Sequence, residues 1–333
     1  FKDIEDNTLL VVRVDEDKRL ETYSVYDDRG LLRYVLSPEA SAQVGNPVNE
    51  TFLRRFAYYY EYDSKGRQIL KRLPGCDPIY MVYDKKDRLV MSQDGKQRAQ
   101  NSDKWGYSLY DNQNRVVETG EVVIIGEDKT HKDLQDFATT SDSYIPPGTR
   151  TPLQYTLYDS YLATSNVPVH PFIAANSYVL DYYRLVTGLV TSVKTKVLDT
   201  GEWLTITTYY DDRCRVIQTV SDNLQGQKSR VDFDYDFVGN LIRKKESHGI
   251  STSRTDILET ENVYDDRGRL LTSTSRLNGE IPAIIFYTYD EVGRLISRKL
   301  GNMTETMTYN ARGWLTGKSS APFKMKLRYE SPE

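Results

Sequence analysis

The chain has few of the residues on which disulfide frameworks and membrane helices depend. Its 333 residues include two cysteines, Cys76 and Cys214, which lie far apart in the sequence. Two distant cysteines do not make a disulfide framework, so both are expected to be free thiols. No apolar run approaches the roughly 20 residues that a helix needs to cross a bilayer. We therefore expect no membrane span in this segment.

The sequence also has no excess of basic residues and no recognised catalytic or nucleotide-binding motif. Lys and Arg number 44 against 48 Asp and Glu, for a formal net charge of −4. Nucleic-acid binding draws most of its affinity from a basic surface, so no nucleic-acid partner is predicted. His131, His170 and His248 fit no metal-binding spacing, and no nucleophile-elbow, Walker or dinucleotide-binding phrase occurs. The sequence thus predicts no catalytic residue, no cofactor and no metal site.

One run of acidic residues superficially resembles a calcium-binding loop. Asp232, Asp234 and Asp236 alternate along a predicted strand and superficially begin a calcium loop. An EF-hand loop requires Gly at its sixth position, where this chain has Phe237. The run is therefore interpreted as a solvated strand face.

The chain repeats one short phrase: Tyr-Asp, two variable residues, a turn residue, usually Arg, then an aliphatic residue. A phrase that returns along a chain marks a repeat architecture. Eight copies begin at Tyr26-Asp27, Tyr62-Asp63, Tyr83-Asp84, Tyr110-Asp111, Tyr210-Asp211, Tyr235-Asp236, Tyr264-Asp265 and Tyr289-Asp290, and a ninth has Asn at Tyr309-Asn310.

Each copy is typical of a β-hairpin with a three-residue loop, in which the first Asp closes a type I turn. The fifth position then needs a residue that tolerates positive φ. It is occupied by Gly30, Gly66, Gly239, Gly268, Gly293 and Gly313, by Asp87 and Asn114, and by Cys214. Cys214 is the exception, so that turn is either strained by about 1 kcal/mol or of another type.

The loop length also predicts the register. In the copy that begins at Tyr264, Asp265 should face Arg269 and Tyr264 should face Leu270 across the hairpin. Because side chains alternate between faces, each hairpin places a Tyr–aliphatic pair on one face and an Asp–Arg pair on the other. The aliphatic position is occupied more strictly than the Arg position, which agrees with exposed ion pairs contributing little.

The predicted fold class is all-β: a repeat array of antiparallel β-hairpins. Three blocks are predicted in one continuous array: hairpins over 1–120, an insertion over 120–205 with degenerate repeats and irregular structure, and hairpins over 205–333. The insertion contains one remnant of the phrase, Tyr158-Asp159. Long insertions are often the functional part of a repeat protein. Near the start of the chain, 37–50 is predicted as a loop.

These phrases resemble the YD repeats of the rearrangement-hotspot (Rhs) family, which includes bacterial toxins and, more distantly, the teneurins. The segments that begin at Tyr264 and Tyr289 match the family's phrase almost letter for letter. The resemblance covers about 20–120 and 205–320. It implies a curved, spiralling sheet that forms part of a hollow shell, a secreted or cell-surface location in the bacterial envelope, and a C-terminal toxin enclosed until delivery.

Two family features are not carried over. The self-cleavage signature uses Asp-Pro-x-Gly elements, but Asp77-Pro78 is followed by Ile79-Tyr80. No toxin can be assigned to this chain. Since it begins at Phe1, the chain is expected to be a segment of a larger Rhs-type polypeptide, with the remainder of that polypeptide and an enclosed toxin as partners.

The leading hypothesis is a non-enzymatic structural segment: a shell or scaffold wall of an exported polymorphic toxin or envelope protein. The alternative is a carbohydrate-binding cell-surface protein, which would recognise a glycan through its tyrosine-rich faces or the 120–205 insertion. A hydrolase sited in the insertion comes third. A deep pocket with convergent polar groups would favour an enzyme, and a shallow aromatic groove would favour glycan binding.

Overall fold

The protein consists of antiparallel strands, which confirms the predicted all-β class. The computed structural model describes residues 1–15, 18–43, 49–101, 103–126, 130–140 and 144–329. By its internal contacts the chain divides into two compact units, Phe1–Tyr155 and Thr156–Glu333. The boundary lies inside the predicted insertion, and the three-block division itself stays a prediction.

The described part of the first unit contains ten strands, and each of the first nine pairs antiparallel with the next along the chain. The strands are β1 Leu10–Asp15, β2 Lys18–Tyr26, β3 Leu32–Leu36, β4 Ala57–Tyr62, β5 Gln68–Arg72, β6 Ile79–Tyr83, β7 Leu89–Gln93, β8 Lys104–Tyr110, β9 Val116–Val123 and β10 Thr149–Tyr158, of which the last continues past the boundary. Its hydrophobic core lies around Val82, Met91 and Trp105.

The second unit continues the same pattern, and each strand from β11 onward again pairs with its successor. Its strands are β11 Val190–Lys196, β12 Trp203–Tyr210, β13 Val216–Asp222, β14 Lys228–Tyr235, β15 Leu241–Ser251, β16 Arg254–Tyr264, β17 Leu270–Leu277, β18 Ala283–Tyr289, β19 Leu295–Leu300, β20 Met303–Tyr309, β21 Leu315–Ser319 and β22 Lys324–Lys326. Neighbour-to-neighbour pairing is the arrangement expected of a hairpin array.

Where the first unit is described, four short helices interrupt its strands: α1 Pro38–Ser41, α2 Glu50–Phe56, α3 Gly95–Gln100 and α4 His131–Ala138. Each begins at a polar N-cap whose side chain accepts a backbone N–H bond, at Ser37, Asn49, Asp94 and Thr130. Helix α1 falls in the predicted loop over 37–50, so that prediction is wrong at this point. Residues 44–48 of the same loop lie outside the described residues.

Helix α4 packs on the core and bonds to the main chain of β6. Its Leu134 is buried. Gln135 accepts a hydrogen bond from the Tyr83 N–H at 2.9 Å and donates one to the Tyr83 carbonyl at 2.7 Å. One turn earlier, His131 Nε2 lies 2.8 Å from the Met81 carbonyl. The histidine therefore belongs to a structural contact that fixes the helix on the strand.

Candidate functional site

The repeated phrase forms one turn in all nine copies. In the copy beginning at Tyr264, the Asp265 N–H donates to the Arg269 carbonyl at 2.9 Å, and the Gly268 N–H donates to the Asp265 carbonyl at 2.9 Å. Tyr264 pairs with Leu270, and a one-residue register shift precedes the tyrosine. This is a type I turn followed by a left-handed residue. The fifth residue has positive φ in every copy: Gly30, Gly66, Asp87, Asn114, Cys214, Gly239, Gly268, Gly293 and Gly313.

The Asp carboxylate closes this turn from inside. Asp265 Oδ1 accepts the N–H groups of Arg267 and Arg269 at 2.9 and 2.8 Å, and Oδ2 accepts from Arg269 Nε at 2.6 Å. Hydrogen bonds to the charged form favour it, so the Arg269 N–H holds the pKa of Asp265 below its usual value. Asn310 makes the same two backbone bonds in the ninth copy.

Cys214 adopts the strained conformation rather than another turn type. Its φ is 61°. Its N–H donates to the Asp211 carbonyl at 3.1 Å, as the glycine does in other copies. The thiol is exposed and unpaired, as is that of Cys76.

In seven copies the motif tyrosine connects its hairpin to the strand before it. Its hydroxyl donates to the backbone carbonyl two residues after the positive-φ residue of the preceding turn, a contact that the sequence did not predict. Such bonds, 2.7 to 3.0 Å long, join Tyr83 to Gln68, Tyr110 to Leu89, Tyr210 to Val190, Tyr235 to Val216, Tyr264 to Leu241, Tyr289 to Leu270 and Tyr309 to Leu295.

The motif arginine makes a second connection in the opposite direction. Its guanidinium bonds the Asp of its own turn and lies over the tyrosine ring of the next copy. The distances to the ring centroid are 4.8 to 5.2 Å for Arg67 over Tyr83, Arg88 over Tyr110, Arg215 over Tyr235, Arg269 over Tyr289 and Arg294 over Tyr309. A cation over an aromatic face is stabilising. We call the Tyr hydroxyl bond and the Arg–Tyr contact together the inter-hairpin clamp.

The clamp continues beyond the ninth copy with a variant chemistry. Tyr329 donates its hydroxyl to the Leu315 carbonyl at 2.8 Å. Trp314 replaces the motif arginine, and its ring centroid lies 5.1 Å from that of Tyr329. Tyr329 therefore occupies the position of a motif tyrosine.

The remnant Tyr158-Asp159 is one half of a divided turn. The Asp159 N–H donates to the Leu189 carbonyl at 3.1 Å, and the Gly188 N–H donates to Asp159 Oδ1 at 2.6 Å. Gly188 has positive φ, as the fifth motif position requires. Ordinary copies have two residues between Asp and this position, whereas here Ser160–Thr187 intervenes. We call Ser160–Thr187 the strap.

The strap crosses one face of β11 to β15, and strand side chains bond to its main chain. Thr207 accepts the N–H of His170 at 2.9 Å, and Tyr209 donates to the carbonyl of the same residue. Gln218 accepts the Ile173 N–H and donates to the Ile173 carbonyl, each at 2.9 Å. Thr207 and Gln218 are fully buried. This part of the predicted insertion therefore covers the sheet.

Asp232 corrects one interpretation of the sequence, because it is fully buried and not on a solvated face. Its Oδ1 accepts from Ser177 of the strap at 2.9 Å and from Gln218 at 2.7 Å, and its Oδ2 pairs with Arg230 Nε at 2.5 Å. The sequence predicted a solvated face and no calcium loop, whereas the carboxylate is buried in these contacts.

His170 anchors the strap through its ring. Its Nε2 lies 3.2 Å from both the Thr205 carbonyl and Asp222 Oδ2, and Lys228 Nζ lies 3.2 Å from Nδ1. The lysine Nζ also lies 3.3 Å from Nε2, so it sits beside both ring nitrogens. Both ring nitrogens are thus occupied, and the side chain is 12% exposed.

A serine–histidine contact occurs on the open surface of β14 and β15. Ser229 Oγ lies 2.7 Å from His248 Nδ1. Asp256 is opposite His248 in the strand register, but its carboxylate is bonded to Arg254 and Asn278. The carboxylate therefore does not orient the imidazole as a catalytic triad requires.

The described residues form open recesses on strand surfaces, such as one lined by Ile285, Leu300 and Met303. Within the described ranges, no group of three or more His, Cys, Asp or Glu is placed to hold a metal ion. None of the helices in those ranges is long and apolar enough to span a membrane.

Comparisons with known proteins show a distant likeness to Tc toxin structures. No protein-family model matches the chain, and no curated protein is detectably similar to it. The crystal structure of TcdB2-TccC3-Cdc42 is similar with 13% identity and a TM-score of 0.41, over 94% of this chain and 16% of that chain. The Photorhabdus luminescens Tc holotoxin pore gives 13% identity and a TM-score of 0.37, over 90% of this chain and 15% of that chain. Likeness of this order identifies neither a family nor a function.

Sequence reasoning missed a further turn of the same type. The Asn223 N–H donates to the Gln227 carbonyl at 3.0 Å, and Asn223 Oδ1 accepts the N–H groups of Gln225 and Gln227. No tyrosine precedes Asn223, so the phrase does not detect it. The spacing Asn-x-x-Gly to Gly226 was the available signal.

Proposed function

We propose that the chain is a non-enzymatic structural segment of an Rhs/YD-repeat protein, a wall of an exported polymorphic toxin or cell-envelope protein in a bacterium. The observation that carries the proposal is the inter-hairpin clamp. It uses the tyrosine and arginine of the repeated phrase to join successive hairpins. The same side chains make structural contacts between neighbouring hairpins in copy after copy. Such contacts between adjacent repeats are typical of a structural wall that is built from repeated elements.

The same contacts do not favour a glycan-binding platform made of motif tyrosines. Seven motif hydroxyls are donated to backbone carbonyls, and five of the rings lie under an arginine. A sugar needs a free ring face and free hydrogen-bonding groups. The proposed partner is therefore polypeptide: the remainder of a larger Rhs-type protein, with an enclosed toxin.

The test is retention of a partner polypeptide by the natural protein that contains these residues. That protein would be purified, digested with increasing amounts of protease, and analysed by native size-exclusion chromatography and mass spectrometry. We expect a resistant fragment spanning the hairpins, with a second segment of the same protein co-eluting until denaturant is added. Recovery of the hairpin fragment alone would overturn the enclosing role. Turnover of polysaccharide or peptide substrates by residues 1–333 would overturn the non-enzymatic one.

A further inference from the structure

The strand side chains beneath the strap are directed at its main chain. Each of the successive strands β11 to β14 supplies at least one such contact: Ser192 on β11 donates to the Pro168 carbonyl at 2.8 Å, and Arg230 on β14 donates to the Ala175 carbonyl at 2.9 Å. Between them lie the contacts of Thr207 and Tyr209 on β12 with residue 170, and those of Gln218 on β13 with residue 173.

Main-chain contacts of this kind can accept many sequences. The amide of Gln218 engages both the N–H and the carbonyl of Ile173, which every residue except proline offers. An extended peptide would be held in the same way, and its side chains would add specificity, as the His170 ring does at Asp222 and Ser177 does at Asp232. The site is thus built for an irregular, extended segment that crosses the strands.

The strap is not needed to close the turn from which it arises. Asp159, Gly188 and Leu189 already make the turn's hydrogen bonds around it. Its two flanks are exposed at 162–166 and at 183–185, whereas Val167 and Val186 are buried. The strap therefore has the form of a tethered ligand with solvent-exposed connectors.

One buried donor of the site is not used by the strap. Arg230 Nη2 is buried and has no hydrogen-bond partner among the described residues. A buried unsatisfied donor is costly, and a second main-chain carbonyl near Ala175 would satisfy it. A different peptide segment could make that bond.

We propose that the face of β11 to β14 marked by Ser192, Thr207, Gln218 and Arg230 is a binding site for an extended polypeptide segment, recognised through its main chain, and that the strap is its resident occupant. This goes beyond the proposed function, because the site would act in an isolated chain whatever larger protein contains it.

The experiment begins with the intact folded chain. Protease sites are introduced into the exposed flanks at 163–165 and 183–185, and the strap is cut at both after folding. We expect the excised peptide to co-elute with the chain in size-exclusion chromatography. A fluorescent synthetic peptide of residues 166–183 should displace it in a saturable manner.

Two matched probes test main-chain recognition. A peptide N-methylated at Ile173 loses the N–H that Gln218 accepts and carries a methyl group in its place, and it should bind at least tenfold more weakly. The variant Gln218→Ala should weaken the unmodified peptide by at least as much. A peptide with Ala at His170 and Ser177 loses the side-chain contacts with Asp222 and Asp232, and it should bind more weakly than the native one but lose the same further factor on N-methylation. Equal binding of the methylated and unmodified peptides would overturn the proposal.

A second variant removes the dependence on cutting. Replacing Ser160–Thr187 by Asp-Arg restores the two-residue spacing of the copy at Tyr264, and circular dichroism would verify its fold. This chain should bind the labelled peptide, whereas the uncut parent should not. A shortened chain that folds but does not bind the labelled peptide would contradict the proposal. So does a chain that unfolds both when cut and when shortened, because the strap would then be part of the fold rather than an occupant.

Discussion

At the residue scale, the positive φ of the fifth position of the phrase restricts which residue can occupy it. Six copies have glycine there, and Asp87, Asn114 and Cys214 adopt the same positive φ of 61–63°. Among these three, Asn and Asp tolerate the left-handed region better than Cys does. Among the nine turns, the one with Cys214 is therefore expected to have the most backbone strain.

Replacing Cys214 by Gly should raise the free energy of unfolding by up to about 1 kcal/mol. Glycine relieves the strain, and because the thiol is exposed, little packing is lost. Thermal and urea unfolding would measure the change. Cys214→Ala is the matched control, since it keeps a Cβ at positive φ and should change stability little. An unchanged or lower melting temperature for the glycine variant would show that positive φ is not costly here.

The turn aspartates also predict how stability depends on pH. The pKa of Asp265 is depressed in the folded chain by the Arg269 N–H, and that of Asp27 by the Leu31 N–H. A depressed folded pKa contributes stability that is complete above the unfolded value, near 3.8, and is lost as pH falls through the folded value. The chain should therefore lose stability as pH drops below about 4.

Asp265→Asn tests this at one turn. Asparagine can keep the backbone bonds, as Asn310 does, but it cannot pair with Arg269 as an anion. Melting temperatures at pH 7, 5 and 3 should show wild type above the variant at neutral pH, and the gap should narrow toward pH 3. Asp266→Asn, in the exposed part of the same turn, is the matched control for the loss of one negative charge. A gap at Asp265 that is constant with pH would contradict this assignment.

At the element scale, the hairpin is the repeated element, and the inter-hairpin clamp joins each hairpin to its neighbour. Hairpin geometry follows from seven consecutive residues, whereas the clamp joins residues of different hairpins. Tyr289 and Leu270, for example, are 19 residues apart in sequence. The sequence predicted the pairing of Tyr264 with Leu270, and it assigned the motif arginine only to the Asp of its own turn. The contact of that arginine with the tyrosine ring of the next hairpin was not predicted, because the two residues belong to different copies of the phrase.

Tyr289→Phe should lower the free energy of unfolding by about 0.5–1.5 kcal/mol, because it removes the hydroxyl bond to the Leu270 carbonyl and keeps the ring. Urea denaturation followed by fluorescence would measure it. Tyr287→Phe on the same strand is the control, since that hydroxyl makes no hydrogen bond within the described part of the chain, and it should be near neutral. Equal losses in the two variants would argue that the clamp bond contributes nothing specific.

At the scale of the whole molecule, the first strand has an edge that is bare beyond Leu10, whose main chain bonds to Phe1. The Ser24 N–H donates to the Leu9 carbonyl, so the main-chain groups of Val12 and Val14 turn away from β2. No described strand pairs with that edge, and Val14 is 74% exposed. Bare edges of this kind pair with other chains. At the other end, β22 has three residues, two of them lysines, and charge on a short strand disfavours such pairing.

We therefore expect concentration-dependent self-association through β1, measurable by analytical ultracentrifugation. Val12→Pro removes an outward N–H without breaking a bond to β2 and should shift the equilibrium to monomer. Lys326→Pro at the other edge should leave it unchanged. A wild-type chain that is monomeric at every concentration would exclude this contact.

The sequence by itself determined the strands, the turns and the pairing register of the repeated hairpins, because those depend on hydrogen bonds and φ preferences within a few consecutive residues. Only the tertiary structure decided which face of the second unit is covered, why Asp232 is buried, and that the divided turn at Asp159 and Gly188 carries the strap. Gln218 and Ile173 lie 45 residues apart, and Arg230 and Ala175 lie 55 apart. Partners at such separations are selected by the packing of a completed sheet, and no local pattern records them.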